Sequence, residues 1–235
     1  IYTGTTADKR KYGFRRAFTF RPHLLKGMLS ISGWTMVQSF ISVSIWFIFF
    51  LAIEHLGERP LAVTNIVRNI SALLIMVISA FATTAGALIS NQIGAGEQRY
   101  LFRTCGMTLN LTYAILVPLL VILCLFPEPV LRVFTDNPSL IAASINSVYV
   151  MSTSTLIMAP AFILFNAVSG TGNTKAGFIM EMISLTVYTA AVYYIVIRLK
   201  PDVALCWFSE HVYGIALIAL AWWYLKSGKW RGKKV

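Results

Sequence analysis

The chain has 235 residues, of which 57% are hydrophobic and 12% charged, with a formal net charge of +11 and a mean hydropathy of +0.70. Soluble domains average about 45–50% apolar and about 25% charged residues. A chain this apolar could not cover its own surface with polar groups, so a soluble enzyme or binding domain is excluded and an integral membrane protein remains.

The first 27 residues form a basic segment in which Phe14, Phe18 and Phe20 interleave with Arg15, Arg16 and Arg21. That composition suits the membrane interface, with lipid as partner. The chain begins with Ile1 and a polar stretch, and is expected to be a piece of a longer polypeptide.

A transmembrane helix needs about 20 mainly apolar residues. Six stretches qualify: Met28–Leu51, Leu61–Ile93, Thr104–Phe126, Leu140–Val168, Ala176–Ile197 and Val203–Leu225. The second and fourth exceed the bilayer's requirement and should tilt or project beyond it. The fold expected is therefore an all-α membrane protein. A lobe of six transmembrane helices would cover residues 28–225, and residues 226–235 would form a basic tail.

Turn chemistry marks the breaks. Gly57-Glu58-Arg59-Pro60 separates the first two spans. Gly94-Ala95-Gly96-Glu97 ends the second, with glycine able to take the left-handed conformation after a helix. Pro127-Glu128-Pro129 ends the third, and Thr135 through Ser139 offers capping side chains to the fourth. Gly170-Thr171-Gly172-Asn173-Thr174 and Lys200-Pro201-Asp202 close the fourth and fifth.

An even number of spans puts both ends on one side. That side would hold seven Lys and Arg before the first span, Arg99, Arg103, Lys175 and five after the last span, fifteen in all. The other side holds four: Arg59, Arg132, Arg198 and Lys200. The bias predicts cytoplasmic termini.

Polar groups inside hydrocarbon need partners within the protein or a wet cavity. The second span carries a polar-to-small stripe of Asn65, Asn69, Ala72, Met76, Ser79, Thr83, Gly86 and Ser90. The first carries Ser32, Thr35, Gln38, Ser39 and Ser42. Close helix packing accounts for the small members. Gln38, Ser42, Asn65, Asn69 and Asn166 are candidate cavity-lining residues. Pro160 removes a backbone donor mid-span, and the polar residues around it make it a candidate hinge. Arg68 and Glu181 lie within spans, and Glu210 and His211 lie early in the sixth. Intramembrane charges mark functional sites, although side chains this close to the ends can also snorkel or pair. His211 is expected at the interface. Glu181, Ser184 and Tyr188 share one helical face, so Arg68, Glu181 and Tyr188 complete the candidate set.

Enzyme constellations are missing: there is no HExxH, GxSxG or Walker A pattern, and His23, His55 and His211 stand apart. Cys105, Cys124 and Cys206 have neither metal-ligand nor disulfide-framework spacing. The chain is read as a non-enzyme with no metal and no cofactor. No soluble domain exists to present its basic ends to nucleic acid.

Three segments, Ser90 to Gly96, Phe134 to Asp136 and Ser169 to Thr174, resemble in order and spacing the C-terminal six-helix half of the multidrug and toxic compound extrusion (MATE) transporters. Ser90-Asn91-Gln92-Ile93-Gly94-Ala95-Gly96 is similar to the family's V-G-Q-x-x-G-A-G signature. Phe134-Thr135-Asp136 is similar to its F-T-x-D entry to the tenth helix. Ser169-Gly170-Thr171-Gly172-Asn173-Thr174 is similar to R-G-x-G-D-T, with Ser for Arg and Asn for Asp. The resemblance implies a bacterial inner-membrane efflux antiporter for amphipathic cationic compounds. It implies coupling to H+ or Na+, alternating access, and a missing N-terminal six-helix lobe as partner. It also implies a carboxylate in the family's seventh and tenth helices, where this chain carries Gln38 and, near the second position, Met158. No coupling-ion site carries over. A flippase for lipid-linked saccharides and a structural membrane subunit are the alternatives. Only Arg68 supplies the basic cavity residue such flippases favour, and the polar stripes speak against a purely structural subunit.

Overall fold

A computed structural model describes residues 22–228 and Trp230. Most of the predicted basic segment and most of the basic tail lie outside the described residues. Among the described residues eight α-helices follow in order: α1 (Pro22–Glu54), α2 (Glu58–Gly94), α3 (Leu101–Leu125), α4 (Pro127–Arg132), α5 (Pro138–Gly170), α6 (Thr174–Val192), α7 (Val203–Cys206) and α8 (Phe208–Ser227). No strand occurs among the described residues. Among the described residues six segments are long and apolar enough to cross a membrane. The chain is an all-helical integral membrane protein.

The helix boundaries show what the breaks do. Among the described residues α1 already runs from Pro22, ahead of the expected Met28. Gly57, at φ 115°, turns the chain into α2, and Pro60 sits harmlessly in the first turn. Gly96, at φ 78°, closes α2. Pro127 does more than end the third span: it opens the short helix α4, which buries Leu131 completely. Asn137 caps α5, its side chain accepting from Ser139 N at 3.0 Å. Asn173 caps α6 through Ala176 N and donates to Tyr224 Oη at 2.6 Å, tying the α5–α6 turn to α8.

The last two spans differ from the sequence expectation. α6 continues as a π-helical stretch, Tyr193–Leu199, which ends at Lys200 in a left-handed conformation. The stretch expected as one helix from Val203 to Leu225 is divided at Trp207 into α7 and α8. Asp202 caps α7, accepting from Val203 N at 2.7 Å.

Helix α5 is the centre of the bundle and packs against α2, α3 and α8, while α1 packs mainly on α6. The α2–α5 crossing rests on small residues. Ala82, Ala85, Ala159 and Ala167 are fully buried. A Cβ built on Gly170 would lie 2.5 Å from the Gly86 carbonyl oxygen, and one on Gly86 would lie 2.9 Å from the Asn166 carbonyl oxygen. Lipid tails are as apolar as leucine, so close backbone approach rather than hydrophobicity holds such a crossing. The outward faces carry Met36, Phe40, Phe47, Leu73, Leu111 and Trp223, all well exposed, as a lipid-facing surface requires.

Pro160 lies inside α5 without ending it. Its missing N–H leaves the Leu156 carbonyl without the usual donor four residues on. Tyr113 of α3 supplies a replacement, its hydroxyl donating to Leu156 O at 2.8 Å. The proline is thus bound to a neighbouring helix at the group it frees.

Candidate functional site

A cavity of about 530 Å³ opens among α1, α2, α5, α6 and α8. Its polar wall comes from three helices distant in sequence. Ser42 of α1 donates to Glu181 Oε1 of α6 at 2.9 Å, and Tyr213 of α8 donates to the same oxygen at 2.9 Å. One helical turn before Tyr213 on α8, Glu210 accepts from Tyr188 of α6 at 3.0 Å. Each of α6 and α8 therefore contributes one carboxylate and one tyrosine, and the two pairs cross. The Tyr188 and Tyr213 rings meet edge-to-face, their centroids 5.8 Å apart.

Glu181 is only 4% exposed, and its second oxygen, Oε2, has no hydrogen-bond partner among the described residues. It does not snorkel. The reason is positional: the face that carries Glu181, Ser184 and Tyr188 turns inward against α1 and α8, and all three are buried. A second cavity of about 220 Å³ adjoins the first, and Glu181, Ser79, Phe162 and Tyr213 line both.

Arg68 also lines the large cavity. Its guanidinium lies 5.0 Å from the Phe50 ring centroid and 6.0 Å from that of Trp46, in cation–π geometry. The rest of the wall is mostly apolar, with Ile75, Met76, Met158, Phe162 and Trp207 prominent.

Of the candidates from sequence, Ser42, Arg68, Glu181 and Tyr188 come together at this cavity. Asn166 lines the smaller one and donates to Phe162 O of its own helix at 2.9 Å. Gln38 is half-buried beneath Ser42, which also lies within hydrogen-bonding distance of its carbonyl. Asn65 is half-buried and Asn69 exposed, and neither is on the cavity wall. Only the middle of the α2 stripe, Ala72, Met76 and Ser79, reaches it. The packed face of α2 is instead Val63, Val67, Ile70, Leu74, Ile78, Ala82, Ala85 and Ile89.

His211 turns away from the cavity, its Nε2 lying 3.0 Å from Thr153 Oγ1 and its ring stacking on Phe208. Tyr213 and Trp46 were not among the candidates. Both had a spacing signal, since Tyr213 follows Glu210 by three residues and Trp46 follows Ser42 by four. Among the described residues no group of three or more His, Cys, Asp or Glu side chains could hold a metal ion.

The MatE family profile matches residues 35–195. Among curated proteins, the chain is 24% identical over 213 residues to "Probable multidrug resistance protein NorM" of Thermotoga maritima, an alignment covering 89% of this chain and 46% of that protein. Among solved structures, a mutant of the Vibrio cholerae MATE transporter VcmN superposes with a TM-score of 0.80 at 16% identity, over 91% of this chain and 49% of that one. A MOP superfamily transporter from Pyrococcus furiosus superposes with a TM-score of 0.74 at 12% identity, over 85% and 44%. The chain thus spans about half the length of the relatives it matches. With the profile covering most of its six helices, the chain belongs to the MatE family.

Proposed function

We propose that this chain is the C-terminal half of a secondary active efflux antiporter that exports amphipathic cationic compounds by alternating access in exchange for H+ or Na+. The observation that carries the reading is the cavity. It is large enough for a drug-sized molecule, mostly apolar, and acidic at one wall through Glu181 and Glu210. A purely structural subunit has no need of two carboxylates within membrane helices, where charge is costly. The name of the Thermotoga maritima relative supports multidrug resistance as the setting.

The partner lobe would be six further helices, and rocking of the two halves about a midplane cavity would alternate access. Placement in a bacterial inner membrane with both termini cytoplasmic accords with the distribution of Lys and Arg. The test is dye accumulation in cells lacking their own efflux pumps. Co-expression with the N-terminal lobe should lower the accumulation of a cationic dye, and the chain alone should not. Unchanged accumulation with both lobes present, or full export by the chain alone, overturns the reading.

A further inference from the structure

The crossed Glu181–Tyr213 and Tyr188–Glu210 pairs have a consequence for which ligand the cavity takes. Two carboxylates and one guanidinium, Arg68, face the same apolar space. Arg68 is engaged by aromatic faces, and the two carboxylates are engaged by hydroxyls. With these groups ionised, the cavity is one positive charge short of neutrality. In an environment of low dielectric, charge that is neither hydrated nor paired is expensive. The unpartnered, buried Oε2 of Glu181 locates that deficit at the wall where α1, α6 and α8 meet.

We propose that the Glu181–Glu210 cluster is the seat of a single monovalent organic cation, and that Arg68 sets the charge the cavity accepts. Four observations define the ligand. The acidic wall selects a cation. The charge count selects one positive charge rather than two. The aromatic rings of Trp46, Phe162, Tyr188 and Trp207 suit a delocalised or quaternary cation. A volume of about 530 Å³ with a mostly apolar lining suits a polycyclic body rather than a bare metal ion, and the described residues assemble no metal-ligand cluster. Tyr188 and Tyr213 are positioning residues. By bonding one carboxylate each across the α6–α8 interface, they keep both acids on the cavity side.

This inference rests on the reading of the chain as part of a cation exporter, but its test is separate from export. Binding is measured on the 235-residue chain in nanodiscs by fluorescence titration, with empty nanodiscs as background. Ethidium and propidium are the probes. They share one ring system, and propidium replaces the N-ethyl group of ethidium by a longer chain that carries a second fixed charge.

The wild-type chain should bind ethidium saturably and about tenfold or more tighter than propidium. Glu181→Gln should weaken ethidium by about tenfold or more, and Glu181→Asp should restore part of the loss. Arg68→Gln should narrow or reverse the preference by tightening propidium, a gain that misfolding cannot produce. Wild-type affinity in Glu181→Gln overturns the seat. An unchanged preference in Arg68→Gln overturns the charge rule. No saturable binding by the wild type refutes the proposal outright. Binding without export in cells leaves the site standing and removes the exporter reading.

Discussion

Replacing Gly170 by alanine should weaken the lobe at its tightest crossing. The new methyl carbon would sit 2.5 Å from the Gly86 carbonyl oxygen and 3.2 Å from Gly86 Cα. A carbon–oxygen contact settles at about 3.3 Å or more, so α2 and α5 must part locally by about 0.8 Å. Both neighbours are backbone atoms, so no side chain can swing aside. Overpacking of this kind costs about 1–3 kcal/mol. At roughly 2–4 °C per kcal/mol for a chain of this size, the apparent unfolding temperature should fall by roughly 2–12 °C. Gly170 does not adopt a positive φ, so the loss would come from contact alone. Gly106 on α3 is the matched control, since a Cβ there meets nothing within 4 Å. Gly106→Ala should leave stability unchanged or raise it by up to about 1 kcal/mol through reduced backbone entropy. The measurement is the monodisperse fraction that survives a temperature series in detergent. Wild-type stability in Gly170→Ala, or equal damage from Gly106→Ala, would refute the crossing as described.

Tyr113→Phe should cost about 1 kcal/mol by stripping the Leu156 carbonyl of its donor. In a Pro160→Ala background, where the helix can supply its own N–H, the same change should cost measurably less. Equal costs in a double-mutant cycle would detach Tyr113 from the proline. For topology, single cysteines replacing Arg59 and Lys175 in a cysteine-free background should label from opposite sides of intact cells, with Arg59→Cys reactive from outside. The reverse pattern refutes the orientation.

Much of the architecture was legible in one dimension because a bilayer asks a one-dimensional question. An apolar run either reaches about 20 residues or it does not, so the six spans and their basic flanks can be counted from Met28 to Leu225. Local turn chemistry is similarly readable. Asn137 before Pro138, Gly96 after α2 and Asn173 before α6 act through neighbours a few residues away. Features that depend on hydrogen bonding along a helix were less legible. The π-helical end of α6 and the division at Trp207 both lie inside spans long and apolar enough to cross a membrane, Thr174–Leu199 and Val203–Ser227.

Which face of each helix turns inward required tertiary structure, because in lipid the outside is as apolar as the core and hydrophobic periodicity loses its contrast. The α2 stripe shows this: its evenly spaced polar and small residues resemble one face, yet Ala72, Met76 and Ser79 line the cavity while Asn69 does not. Glu181 shows the converse. Its sequence position allowed snorkelling, but Ser42, 139 residues earlier, and Tyr213, 32 residues later, hold it inside. A carboxylate's role in a membrane depends on the donors that surround it, and those donors are brought together by the rotation and crossing of helices, which no run length or local spacing encodes.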